Sequence, residues 1–155
     1  NLYGYDSFIC DSGGSICEVV DPWDAEDPIL TALSENLLMI WIAGGADHTA
    51  ELVRRFDLAP KPMCYQPDFL LACWSDYQSE TGVQPDKVSP DDFIRWTYAR
   101  AMAHRQPRYA QMAKWGITLQ ANDVQNLKTP QDFEALVAET LDQHATKARS
   151  NGSKD

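Results

Sequence analysis

No stretch of this 155-residue chain supplies the roughly 20 consecutive apolar residues that a membrane-spanning helix needs. The longest apolar runs, 37–43 and 69–74, are the size of core segments, so no membrane partner is expected. Basic residues are scarce: 13 Lys and Arg stand against 23 Asp and Glu, a formal charge of -10 and a pI near 4.6. Long-range electrostatics therefore oppose docking on nucleic acid. Cysteine is limited to Cys10, Cys17, Cys64 and Cys73. With no C-x-x-C or Cys/His ligand spacing among them, reduced thiols in a cytoplasmic protein are expected rather than a disulfide framework or zinc site. No basic segment precedes an apolar one in the manner of a secretory signal. With Asn1 in place of Met, a fragment or a processed chain is expected. His48, His104 and His144 are isolated from any Cys or Ser, which leaves no nucleophile-base pattern for a hydrolytic triad.

What is present is the make-up of one ordinary domain, 44% hydrophobic and 23% charged. Phe8-Ile9-Cys10 running into Asp11-Ser12-Gly13-Gly14-Ser15 predicts a buried strand that stops in a glycine turn. A short helix is expected over 28–34, and the run 37–42, apolar on both faces, predicts a buried parallel strand ending at Gly44-Gly45. Asp47 is expected to cap a helix reaching Phe56. Three prolines in 59–67 predict a surface flap. Helices follow over 69–78 and from Ser89-Pro90-Asp91-Asp92 to about His104, with Pro107 expected to interrupt the pattern. A brief strand at 117–119 and a last helix opened by Thr129-Pro130-Gln131-Asp132 complete the pass, and a polar tail is expected from Arg149. Strands alternating with helices predict an α/β fold, an incomplete three-layer parallel sheet flanked by helices, in which 1–148 form one domain.

In an open parallel sheet ligands sit beyond the carboxyl ends of the strands, which makes Asp11, Gly13 and Gly14 candidates. A carboxylate there suits a hydrated magnesium ion or the proton of an acceptor hydroxyl. The plain alternative is a turn in which Asp11 caps nearby amides. The few cations cluster: Arg54 and Arg55 precede Lys61 in the flap, and Arg100, Arg105 and Arg108 surround Pro107. Guanidinium groups bind phosphate and carboxylate bidentately, whereas ordinary pairing with the abundant acids is the competing role. The five tryptophans read as core, with Trp23 in a polar loop as the exception. The acidic run Asp21, Asp24, Glu26 and Asp27 reads as a solvated loop, a cation site being the remoter alternative.

Three stretches in this order resemble the C-terminal part of a P-loop kinase of the shikimate kinase type. FICDSGGSI (8–16) resembles its substrate-contacting strand and glycine turn, with Ser12 where a glycine usually stands. LLMIWIAGG, the helix to Arg55 and APKP (59–62) resemble the next strand, helix and lid, with Lys61 where an arginine is expected. HRQPRYAQMA (104–113) resembles its Arg-x-Pro-x-Tyr stretch, and ITLQA with the last helix closes the pattern. The chain is also similar to the C-terminal portion of uncharacterised bacterial ATPases. The resemblance implies ATP and Mg2+ as cofactors and an anionic small-molecule acceptor as partner. Asp11 would serve magnesium or the acceptor hydroxyl, and Gly13 and Gly14 would admit substrate. Arg54, Arg55 and Lys61 would close over the transferred phosphate, and Arg105 would anchor the acceptor. The phosphate-binding GxxxxGK[ST] is absent from these residues, so the triphosphate would be held by a missing N-terminal half of the same protein, and this chain alone is expected to be inactive. The alternative is a non-catalytic adaptor on the same α/β scaffold.

Overall fold

Local cap chemistry starts three of the six helices. In the computed structural model, which describes residues 4, 8–61 and 63–151, the last five as backbone only, α1 spans Pro28–Asn36 and is capped by Asp27. The Asp27 carboxylate accepts the amide protons of Ile29 and Leu30 at 2.9 Å and of Asp21 at 2.8 Å. These backbone donors, Asp21 first, hold it below the usual carboxylate range. Helix α4 (Pro90–Met112) begins under the Ser89 hydroxyl, and α6 (Pro130–Asn151) under a reciprocal pair in which Thr129 and Asp132 each accept the other's amide proton. The expected tail therefore continues α6 to Asn151; its last four residues, like Pro62 of the flap, lie outside the described residues. Helix α2 (Ala46–Leu58) starts at Gly45 with no side-chain cap, leaving Asp47 in the first turn rather than at the cap. Helix α3 (Pro67–Thr81) ends at Gly82, whose φ of 64° is the left-handed stop that glycine allows. Helix α5 is the single turn Ala121–Val124. No helix among the described residues is long and apolar enough to cross a membrane.

The sheet departs from expectation. Strands β1 (Ile40–Ala43) and β2 (Ile117–Gln120) pair in parallel, with Ile40 opposite Ile117, and they are the whole sheet among the described residues. The molecule is mostly helical, so the expected three-layer parallel sheet is corrected. Phe8-Ile9-Cys10 forms no strand, and Phe8 and Ile9 are 78% and 80% exposed. A buried strand needs a neighbour for its backbone groups, and nothing in the described structure pairs with this segment. The apolar surface is buried helix against helix instead. Phe56 of α2 stacks on Tyr98 of α4 with ring centroids 3.9 Å apart, and Trp74 and Tyr77 of α3 meet Phe93 and Trp96 of α4 edge-on. The tryptophans lie at this and neighbouring surfaces half-buried, and Trp23 is 56% exposed. A second core gathers Cys17, Val20, Leu30 and Met112.

Pro107 lies inside α4 rather than interrupting it. A proline there removes one helical hydrogen bond and crowds the carbonyl four residues back. That carbonyl belongs to Ala103, an exposed residue, so the loss falls on the solvent side of the helix and not in the core. Residues on both sides of Pro107 are also fixed by tertiary bonds: Arg105 to Glu18, and Arg108 to the carbonyls of Cys17 and Val20.

Candidate functional site

Arg105, Arg108 and Tyr109 share one face of α4, three and four residues apart, and that face stitches down the N-terminal segment. A 3-10 turn, Gly14–Glu18, lies across it. Arg105 Nε donates to Glu18 Oε1 at 2.6 Å. Arg108 donates to the Cys17 and Val20 carbonyls at 2.7 Å each, and its guanidinium lies over the Trp23 ring. Tyr109 O–H donates to the Gly14 carbonyl at 3.1 Å. The side chain of any residue but glycine at 14 would run into that hydroxyl. The HRQPRY stretch and the glycine turn, far apart in sequence, are thus one structural unit.

Above it opens a cleft of about 450 Å³ at the carboxyl end of β1. Gly14 and Ser15 form one rim, Trp41 and Gly44 the strand end, and His48 and Arg55 the α2 wall. Met63, from the segment before α3, and Tyr109 of α4 close it. Burial, with the Cys17 thiol as second cause, pushes the Tyr109 hydroxyl up to about 12. Cys17 itself is raised by burial and then by the Glu18 carboxylate, so it stays a neutral thiol and not a nucleophile. All four cysteines are free.

Of the residues singled out from sequence, Gly14, Arg55 and Arg105 line this cleft, while Asp11, Gly13, Arg54 and Lys61 do not. Asp11 accepts the Gly13 amide proton at 2.8 Å in an exposed turn where Gly13 has φ 64°. Arg54 binds Glu51 with two nitrogens at 2.7 and 2.9 Å, and Arg55 Nε reaches the same carboxylate at 2.7 Å. The two arginines, Arg54 first, hold Glu51 down at about 2. Arg55 keeps its terminal nitrogens for the cleft, and its side chain is 69% exposed. Lys61 is exposed. Arg105 is 2% exposed, with its charge met by Glu18. Arg100 pairs with Glu80 at 2.8 Å and covers Trp96. In the acidic run, Asp21 and Asp24 accept the amide protons of Trp23 and Glu26 in local turns.

Glu18 and His48 were missed by the sequence reading. Glu18 is a lone acid among Ile16, Cys17, Val19 and Val20, and a solitary carboxylate in an apolar run signals a buried pair. His48 follows Gly44-Gly45 at a helix start, and only the fold shows that this end faces the glycine turn. A second groove, of about 570 Å³ between β2, α5 and α6, holds none of the predicted residues.

The donor set limits what the cleft accommodates. No group of three or more His, Cys, Asp or Glu among the described residues is arranged to hold a metal ion. Asp11, the carboxylate that the sequence offered for magnesium, lies off this cleft and accepts the Gly13 amide proton in its own turn, so the cleft residues do not fit that ion. A triphosphate does not fit: there is no glycine nest with its lysine. The cleft is lined by the Arg55 guanidinium with its partner Glu51, a histidine and largely apolar walls; because Glu51 takes only Nε of Arg55, the remaining donors suit a small anion with an apolar body. Comparison of the chain with protein-family models, with curated proteins and with solved structures gives no match.

Proposed function

We propose that this chain supplies the acceptor side of an ATP-dependent phosphoryl-transfer site, kinase or ATPase, in a cytoplasmic protein. The observation that supports it is the convergence of Gly14, Arg55 and Arg105 on one cleft at the carboxyl end of a parallel strand, where such sheets bind ligands. The four free thiols accord with a reducing compartment. In this reading Arg55 holds the anion, and the Gly14-Ser15 backbone admits it closely. ATP and its magnesium are gripped by a segment outside these residues. The test has two parts. The reading frame preceding Asn1 should encode a phosphate-binding loop. The longer protein should turn over ATP with an anionic acceptor, and Arg55→Ala should lower kcat/KM for that acceptor by about tenfold or more, the scale of one charge-assisted contact. Turnover indifferent to Arg55→Ala would refute the assignment, as would enzyme-like ATP hydrolysis by the 155-residue chain alone that Asp11→Ala leaves unchanged.

A second reading, a non-catalytic adaptor for a protein partner, draws on the apolar side chains left exposed at the cleft, Ile42 and Leu52, at 49% and 46%. A closed reading frame before Asn1, together with no calorimetric ATP binding, would put this reading ahead.

A further inference from the structure

We infer that Glu18 and Arg105 are positioning residues that clamp the strap 63–66 into place as one wall of the cleft. The two charges meet at 2.6 Å with side chains only 2% exposed, and each makes further hydrogen bonds to the strap. Glu18 Oε2 accepts the Gln66 amide proton at 3.1 Å, and the Glu18 carbonyl accepts from the Gln66 side chain at 3.4 Å. Arg105 Nη2 donates to the Cys64 carbonyl at 2.5 Å. The strap belongs to no helix or strand, so these part-buried bonds, and not a backbone ladder, hold its Cys64 carbonyl and Gln66 amide. Met63, at its start, packs on the core of Phe56, Tyr98 and Met102 and also lines the cleft.

A buried ion pair is seldom the most stabilising way to fill its volume; a well-packed apolar replacement is often neutral or better. What an apolar pair cannot do is hold a carbonyl and an amide of a third segment. Glu18 accepts at two oxygens and Arg105 donates through separate nitrogens, so this pair ties the glycine turn, α4 and the strap at one point. Arg105 is thereby buried on a carboxylate of its own chain, whereas Arg55, though its Nε binds Glu51, is 69% exposed and lines the cleft, and so is the guanidinium left to face a ligand. The assignment of the clamp rests on the acceptor-site reading only for its consequence at the cleft.

Hydrogen exchange in the ligand-free 155-residue chain tests it, with Leu119 and Tyr98 amides as internal reports of the core. In Glu18→Met/Arg105→Met the thermal midpoint should stay close to that of the parent chain, while the Gln66 amide exchanges about a hundredfold faster relative to the core amides. Arg105→Lys, which keeps the charge on Glu18 but has no second arm for Cys64, should loosen the same amide by about tenfold. It decides the matter by itself should the double variant not fold. Unchanged protection at Gln66, or strap and core amides accelerating together, would overturn the clamp. The measurement uses no nucleotide or acceptor. A loosened strap with no turnover in the longer protein would therefore sink the phosphoryl-transfer reading and leave the clamp standing.

Discussion

Gly14→Ala should destabilise the chain through a single atom, and removing that atom should rescue it. The Gly14 backbone is not in the left-handed region, so alanine is conformationally allowed and regains about 0.4–1 kcal/mol by restricting the unfolded chain. Against this, its methyl group collides with the Tyr109 hydroxyl. Moving the ring aside costs about 1–3 kcal/mol in overpacking and forfeits the O–H bond to the Gly14 carbonyl, worth about 0.5–1 kcal/mol at an exposed position. The net expectation is about 2 kcal/mol, or about 4–8 °C in midpoint for a domain of this size. Tyr109→Phe alone should cost about 0.5–1 kcal/mol. In the double variant the new methyl faces the ring carbon at 3.4 Å, ordinary contact, so the combined cost should fall about 2 kcal/mol short of the sum of the singles. Urea denaturation followed by tryptophan fluorescence reads this directly, since Trp41 lies 6.5 Å from the Tyr109 ring. Additive costs at constant m-value would refute the contact and the docking of the glycine turn on α4 with it.

Three further outcomes are expected. The Glu51 carboxyl should titrate near 2 by carboxyl-carbon NMR, so its contribution to stability is complete above its ordinary value of 4.5 and fades as pH falls towards 2. Replacing Arg54 and Arg55 by alanine should return the midpoint towards 4.5. Tyr109 and Tyr65 should ionise late, near 12, in a phenolate absorbance titration, both chiefly because of burial; their folded values exceed the ordinary 10, so stability held below pH 10 is lost as pH rises through 12, and Tyr109→Phe should remove one of these late steps. Pro107→Ala restores the helical donor within α4 and should raise stability by about 1 kcal/mol or more in the same urea assay. A loss there would mean that the helix is bent around the proline to good effect.

The helix starts at Ser89-Pro90 and Thr129-Pro130 were legible because a cap and its amides lie within three residues of each other; Asp27, expected in a solvated loop, is instead a buried cap of α1. That the strands at 37–42 and 117–119 run parallel was legible too, since apolar runs joined by helices are seldom antiparallel neighbours; that they pair with each other was not. Nor was the extent of the sheet. Phe8-Ile9-Cys10 has the composition of a strand, but a strand exists only with a neighbour, and composition does not say whether one is there. The arginines divide in the same way. Arg54 and Arg55 meet an acid three or four residues away, a pairing the chain spells out along one helix turn. Arg105 finds Glu18 87 residues earlier. Local chemistry along the chain was enough to determine where Ser89 and Thr129 start helices and how the charges of one helix turn pair. Only the packing of α4 against the glycine turn decided which guanidinium is buried in a clamp and which stays open to a ligand, because burying a charge depends on what the whole fold brings to meet it.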